Sequence, residues 1–410
     1  MTDVERIPDP HLTLVPGFRA AGVSCGLKAP GQLDLALVCA DVPCTAAAVF
    51  TANRVRAAPV LYDQEILRAG NPVQAVAINS GGANACTGER GLRDARRMAE
   101  QVAGALGVPT DAVFVMSTGV IGQPLPMDRV AAGIAAAAQV LSTDGGHAAA
   151  RAIMTTDTRP KEAALRVNVG GKRVTIAGMG KGAGMIHPRM ATMLAAIVTD
   201  AAVERSILQR ALRAAVARTF NMISVDGDTS TNDTVLLLAS GQAGHPPIAG
   251  VSSAAYRAFL AGLLEVATDL AQAIVRDGEG ASKFLTIRVG GARRLADARR
   301  VARSIANSNL VKMAVYGQDA NWGRVVCAAG YSGVAIDPDR LSLWMENQAD
   351  SLHLVKGGQP FEIDELRAAA ILSGNEVTFR LDLGMGNAEA TVWTCDLTHA
   401  YVDINAHYRT

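Results

Sequence analysis

The stretch RVNVGGKRVTIAG (166–178) constrains the fold more than any other part of this chain. Polar and apolar residues alternate on both sides of Gly170-Gly171, and a two-residue glycine turn between alternating segments predicts a β-hairpin. The hairpin runs directly into GMGKGAGM (178–185), and a second apolar segment opens at Thr192. A chain built around such a hairpin must supply partner strands and something to cover their apolar face.

Both are readable. LDLALVCA (33–40) and VQAVAINS (73–80) have the apolar density of buried strands, and AVFVMSTGVIG (112–122) reads as a strand entering a glycine-bearing turn. GLRDARRMAEQVAGALG (91–107) predicts a helix with Leu92, Ala95, Met98, Val102 and Leu106 on one face and Gly107 as its C-cap. Three more amphipathic helices are predicted over 202–220, 256–275 and 295–306. FLTIRVGG (284–291) echoes LRVNVGG (165–171), but one shared turn does not make a repeat. EVTFRLDLG (376–384) and EATVWTCDL (389–397) predict a closing hairpin followed by a tail. Helices and strands are mixed without strict alternation, which predicts a layered α+β fold rather than a doubly wound parallel one. No low-complexity linker divides the chain.

Composition narrows the function. Hydrophobic residues make up 49% of the 410 residues and charged ones 19%, the balance of a compact chain with sizeable cores. A net charge of +1 argues against a nucleic-acid surface, and 4% aromatics argue against base-stacking platforms. MTDVERIPDP lacks the basic-then-apolar pattern of a signal peptide, and no apolar run is read as reaching the roughly 18 residues of a membrane helix. No nucleic-acid or membrane partner is expected, and the cytoplasm is the expected compartment. Six cysteines, none in a CxxC pair, read as small buried hydrophobes.

Several segments could carry chemistry. NSGGANACTGERG (79–91) and GMGKGAGM resemble phosphate loops, yet neither fits GxxxxGK[ST] or a dinucleotide fingerprint, and tight turns explain the glycines as well. SVDGDTSTNDT (224–234) gathers Asp226, Asp228 and Asp233, but its spacing fails the calcium-loop pattern, and turns and caps explain the same residues. No metal site is assigned. His187 reads as a structural histidine, and no GxSxG elbow is present. Thr192, in GKGAGMIHPRMATML (180–194), has two readings: a strand entrance, or a nucleophile. If its hydroxyl attacked the carbonyl of Ala191 and the ester were hydrolysed, Thr192 would gain a free α-amine. That amine has a pKa near 7.7–8.0, low enough to serve as base to its own Oγ. The surrounding glycines permit tight backbone, Pro188 restricts it, and a small residue at 191 leaves room for the attack.

The same stretch closely resembles the self-cleavage segment of the ornithine acetyltransferase family, the bifunctional glutamate N-acetyltransferases. NSGGANACTG, STGVIG (117–122), TTDT (155–158), DGDTSTND (226–233), RDGEGASK (276–283), YGQDANWGR (316–324) and CDLTHAYVDINAHYRT (395–410) resemble that family's signatures, in its order. The resemblance implies a precursor cut between Ala191 and Thr192 into an α chain (1–191) and a β chain (192–410), two of each forming a heterotetramer. It implies an α/β/β/α sandwich like that of N-terminal nucleophile hydrolases, with different connectivity. Thr192 matches the nucleophile, and Thr118 and Gly119 match the oxyanion hole. Thr155, Lys181, Thr192, Glu279, Asn405 and Thr410 match substrate-binding positions. Gly82 stands where the family usually has asparagine, and Thr394 where glycine usually precedes CDLT.

The implied reaction is ping-pong transfer of acetyl from N2-acetylornithine to glutamate through an acetyl-threonine ester, in L-arginine biosynthesis. No cofactor is implied; acetyl-CoA is a donor that some members accept. Two other classes stay open on the residues alone: a self-cleaving amidohydrolase of the same fold, and a non-catalytic protein whose glycine loops grip a small anion.

Overall fold

The protein is described from a computed structural model over residues 4–187, 193–361 and 363–407. The expected hairpin is there: Lys161–Val169 and Lys172–Lys181 pair antiparallel, and Gly170 and Gly171 take φ of 59° and 80° at its tip. It lies within a nine-stranded sheet. From one edge the order is Val4–Arg6, Lys161–Val169, Lys172–Lys181, Leu194–Thr199, Thr234–Ala239, Leu35–Phe50, Val73–Gly82, Val113–Val120, with Phe18–Val23 also on Leu35–Phe50.

Leu35–Phe50 is twice as long as its apolar core suggested and joins two halves of the sheet. Its first part pairs with Phe18–Val23 and Val73–Gly82; its last part pairs with Thr234–Ala239. The register breaks between Cys39 and Cys44. Pro43 lies in that break, where a residue with no N–H to give the ladder is tolerated.

The two halves face each other. Ala46, Ala177, Met179, Leu194, Ala196 and Leu238 of one half share a core with Leu37, Ile78, Phe114 and Met116 of the other. The alternate residues Leu165, Val167, Ile176, Ile197 and Leu237 point outward onto the helices Arg205–Val216 and Ala254–Arg276. Ala58–Ala69, Gly88–Leu106 and Met127–Gln139 cover the far side. The layers are thus helix, sheet, sheet, helix, as expected from the resemblance. Gly107 caps Gly88–Leu106 at φ 70°, but Leu92 of the expected buried face is exposed. Ala254–Arg276 is long and apolar enough to cross a membrane by length and composition, which corrects the reading that no such run exists. Here its apolar stripe, from Phe259 to Ile274, packs on the first sheet half.

A second, six-stranded sheet has its own core with Leu295–Ala306, Trp322–Gly330 and Glu365–Ser373. Here the expected closing hairpin fails. Glu376–Asp382 and Ala388–Cys395 flank Phe284–Ala292, parallel on one side and antiparallel on the other. Periodicity reveals a strand but not its neighbour, and the central place goes to the most apolar of the three. The expected tail is a helix, His399–His407. Of the cysteines, Cys39, Cys44 and Cys395 are buried and Cys25 half-buried, but Cys86 and Cys327 are exposed.

The strand order interleaves the chain. Leu194–Thr199 and Thr234–Ala239 lie between Lys172–Lys181 and Leu35–Phe50. A scission anywhere between Lys181 and Leu194 leaves the later piece clamped on both sides by ladders to the earlier one. The two pieces are expected to co-elute in native size exclusion and to part only in denaturant; separation in plain buffer would contradict this topology.

Candidate active site

Lys181 ends its strand on the face that carries Ala177 and Met179, so its side chain enters the layer between the two sheet halves. There it meets Thr118, from the end of Val113–Val120 in the opposite half. Thr118, Gly119, Thr155, Lys181, Glu279 and Ala83 line one pocket. Five of the nine residues singled out from the sequence therefore converge, although they are far apart along the chain. Gly119 has φ 127°, and a Cβ there would lie 2.4 Å from the Gly81 carbonyl carbon, so only glycine fits. The ladder between Val73–Gly82 and Val113–Val120 is irregular at Gly81 and Gly82, which opens the backbone beside Thr118.

The electrostatics centre on two lysines. Lys181 Nζ donates to Thr155 Oγ1 at 2.7 Å and, more loosely, to Thr118 Oγ1 at 3.4 Å; Asp157 Oδ2 lies 4.0 Å away. Burial pulls the Lys181 ammonium below the usual lysine value, with Asp157 opposing that shift and Lys161 adding to it. Lys161 Nζ bridges Asp157 Oδ1 and Asp277 Oδ2 at 2.5 Å each. Burial pushes the Asp157 carboxyl up, but Lys181 and Lys161 outweigh it and hold it at about 2. Asp157 also accepts from Thr155 N at 2.9 Å and Gly182 N at 2.7 Å, and so fixes the backbone at two pocket residues.

The polar motifs are stapled to one another through backbone groups. Asn232 Nδ2 donates to Ala83 O at 2.7 Å and Ser117 O at 2.8 Å. Asp226 accepts from Met185 N and Ile186 N, and from the Tyr401 hydroxyl at 3.3 Å. Asp233 accepts from Met193 N at 3.1 Å, and burial raises its carboxyl well above the usual range. Asp226 and Asp233 therefore hold the chain on either side of 188–192. Asp157, Lys161, Asp277 and Asn232 were not singled out from the sequence. Lys161 had a signal: it shares a face with Ala163, Leu165, Val167 and Val169, and a lysine in phase with an apolar face is a buried lysine.

Glu279 is 9% exposed and its Oε2 accepts from Asn405 Nδ2 at 2.8 Å, which brings the C-terminal helix to the pocket. A Cβ on Gly184 would sit 2.3 Å from Glu279 Oε2, so a larger residue there would displace the carboxylate from its present position. Thr398 Oγ1 to Gly280 O, at 2.7 Å, docks the same helix on the Glu279 turn. His187 borders a different cavity, with Arg299 and Tyr331. YGQDANWGR contributes no pocket-lining residue among those described; its Tyr316 ring contacts His399. Ala191, Thr192 and Thr410 lie outside the described residues. Chemically, the pocket brings together hydroxyl donors, an ammonium and a carboxylate, a set suited to a ligand with a polarisable carbonyl and a cationic end.

Residues 19–410 match the ArgJ family. Among relatives, the arginine biosynthesis bifunctional protein ArgJ of Symbiobacterium thermophilum is 55% identical over 97% of this chain and 98% of its own. That of Thermotoga neapolitana is 50% identical over 96% and 99%. A solved ornithine acetyltransferase from Mycobacterium tuberculosis, complexed with ornithine, is 45% identical over 45% of this chain and 98% of its own, with a TM-score of 0.42.

Lys161→Met leaves two buried carboxylates without their shared ammonium and is expected to cost about 3–5 kcal/mol by urea unfolding. The Asp157 carboxyl is held at about 2 in the fold, below the roughly 3.9 of an unfolded aspartate. Its stabilisation is therefore complete above about pH 4 and disappears as the pH falls toward about 2. A wild-type acid limb no steeper than that of Lys161→Met would contradict this pairing.

Proposed function

This chain belongs to the ArgJ family, and from that premise we infer that it moves an acetyl group from N2-acetylornithine to glutamate in arginine biosynthesis. It is an acyltransferase. The observation that carries the site-level reading is the convergence of Thr118, Gly119, Thr155, Lys181 and Glu279 on one pocket. The ladder supports it further, because Lys181 pairs with Leu194, two residues after Thr192.

The reaction follows from these groups. The chain cuts itself between Ala191 and Thr192, giving 1–191 and 192–410. The freed α-amine takes the proton of Thr192 Oγ as that oxygen attacks the acetyl carbonyl. The carbonyl oxygen becomes an oxyanion, received by the Thr118 hydroxyl and the Gly119 N–H; one such donor is worth about 10²–10³ in rate. The intermediate collapses, the amine returns the proton to the leaving nitrogen, and ornithine departs from an acetyl-threonine ester. The glutamate amine then attacks the ester, and N-acetylglutamate leaves as Thr192 Oγ regains its proton.

Glu279, with Asn405 beside it, receives the ornithine side-chain ammonium, while Thr155, Lys181 and Thr410 serve the polar remainder. The ester is carried by the protein itself, so the reading needs no cofactor; acetyl-CoA enters only as an alternative acetyl donor. Two of each piece form a heterotetramer in the cytoplasm.

Purified protein is expected to give two bands on a denaturing gel, the later piece beginning Thr-Met-Leu-Ala by Edman sequencing. Thr192→Ala is expected to remain one band and to lose ornithine–glutamate acetyl exchange; two bands from it would move the cut elsewhere. Acetylornithine hydrolysis without exchange would make the enzyme a hydrolase. Deleting residues 405–410 is expected to abolish exchange while leaving the cut intact, and full exchange after that deletion would remove Asn405 and Thr410 from the site.

A further inference from the structure

Asp233 brings one oxygen to the chain just after residue 192 and leaves the other unused. The residue is 1% exposed. Its Oδ1 accepts from Met193 N at 3.1 Å, while Oδ2 is buried and meets no donor among the described residues. Thr51, whose N–H bonds the Asp233 carbonyl at 2.9 Å, gives its hydroxyl proton to Ser230 O instead. Thr234 N donates to Met193 O at 3.1 Å, and the Asn232 side chain is fixed to Ala83 O and Ser117 O. The backbone that carries the carboxyl is therefore held on both sides of Asp233.

Asp226 shows what such a carboxylate does with both oxygens: it takes two successive N–H groups, Met185 N at 2.5 Å and Ile186 N at 2.9 Å. Asp233 holds one N–H of such a pair. Leu194, after Met193, already belongs to the ladder with Lys181 and Thr234. The nitrogen before Met193 is that of Thr192, the α-amine that the cut releases. We propose that the free oxygen of Asp233 receives the Thr192 α-amine, so that Asp233 is the positioning residue of the base. This rests on the reading that Thr192 is the nucleophile.

A free amine has two N–H groups and one lone pair. An N–H given to Asp233 leaves the lone pair to face Thr192 Oγ. As Oγ bonds to the acetyl carbon, its proton passes to that lone pair and the nitrogen becomes an ammonium. The carboxylate balances this charge and makes the amine a stronger base. Without a cation at its free oxygen, burial raises the Asp233 carboxyl well above the usual range, and an ammonium there restores the ionised form. Lys181, whose field reaches Asp233, and Glu279 are the other titratable groups in the pocket lining. Asp233→Asn keeps an oxygen for Met193 N but turns a donor toward the amine, where it competes for the lone pair.

The test is kcat/KM for acetyl exchange against pH, with rates normalised to chains that begin at Thr192. In Asp233→Asn the acid limb is expected to move down by about 1–3 pH units, because the amine loses its counter-charge. Above that limb kcat is expected to fall by about 10–100-fold, with KM for N2-acetylornithine within about threefold of wild type. An acid limb that stays at the wild-type pH overturns the proposal and leaves Asp233 holding Met193 alone. A raised KM at unchanged kcat overturns it too. If Asp233→Asn does not fold or is not cut, a crystal structure of the cut wild-type enzyme decides. Thr192 N within about 3.2 Å of Asp233 Oδ2 supports the pairing, and any greater distance overturns it. Absence of exchange in the wild type, or a later piece that begins elsewhere, overturns the functional reading and this role with it. Exchange with an unmoved limb removes the role of Asp233 alone.

Discussion

One ammonium, that of Lys161, ties the architecture to the site. It rises from a strand in the larger sheet and bridges Asp157, just before that strand, to Asp277, just after the long helix Ala254–Arg276. Thr158 adds its own N–H and hydroxyl to Asp277. Two carboxylates taken from water at this depth would each cost several kcal/mol unpaired, so the turns that carry them cannot drift apart while the lysine stays buried. Glu279 follows Asp277 by two residues and Thr155 precedes Asp157 by two. The placement of Thr155 and Glu279, both in the pocket lining, is thus tied to this ion cluster.

The glycines gain their meaning from the same arrangement. Gly119 leaves out a Cβ that would meet the Gly81 backbone, and Gly184 one that would press on the Glu279 carboxylate. Asp226 and Asp233 turn to backbone N–H groups on the two sides of residues 188–192. The partners of these side chains come from elsewhere in the chain.

Much of the fold was legible because much of it is local. The hairpin at Gly170-Gly171 and the helix Leu295–Ala306 stand where alternation and helical period put them. The mistakes are non-local. Glu376–Asp382 and Ala388–Cys395 look like neighbours in sequence, yet Phe284–Ala292 comes between them. Leu35–Phe50 continues past Pro43 because a distant strand, Thr234–Ala239, waits to pair with its second half. In the site, motifs brought Thr118, Gly119, Lys181 and Glu279 to notice, while Asp157 and Lys161 passed as ordinary polar residues. Their importance comes from being buried together, which no short window of sequence displays.

The interleaved strand order also bears on how the chain is made. Lys172–Lys181 and Leu35–Phe50 have no common partner until Leu194–Thr199 and Thr234–Ala239 arrive to fill the space between them. A nascent polypeptide stopped short of residue 234 would hold unpaired strand edges of the kind that recruit other molecules into aggregates. Folding of the larger sheet is therefore committed only after most of the polypeptide has left the ribosome, and separate genes for the two portions would have to solve an assembly problem that a single continuous translation avoids.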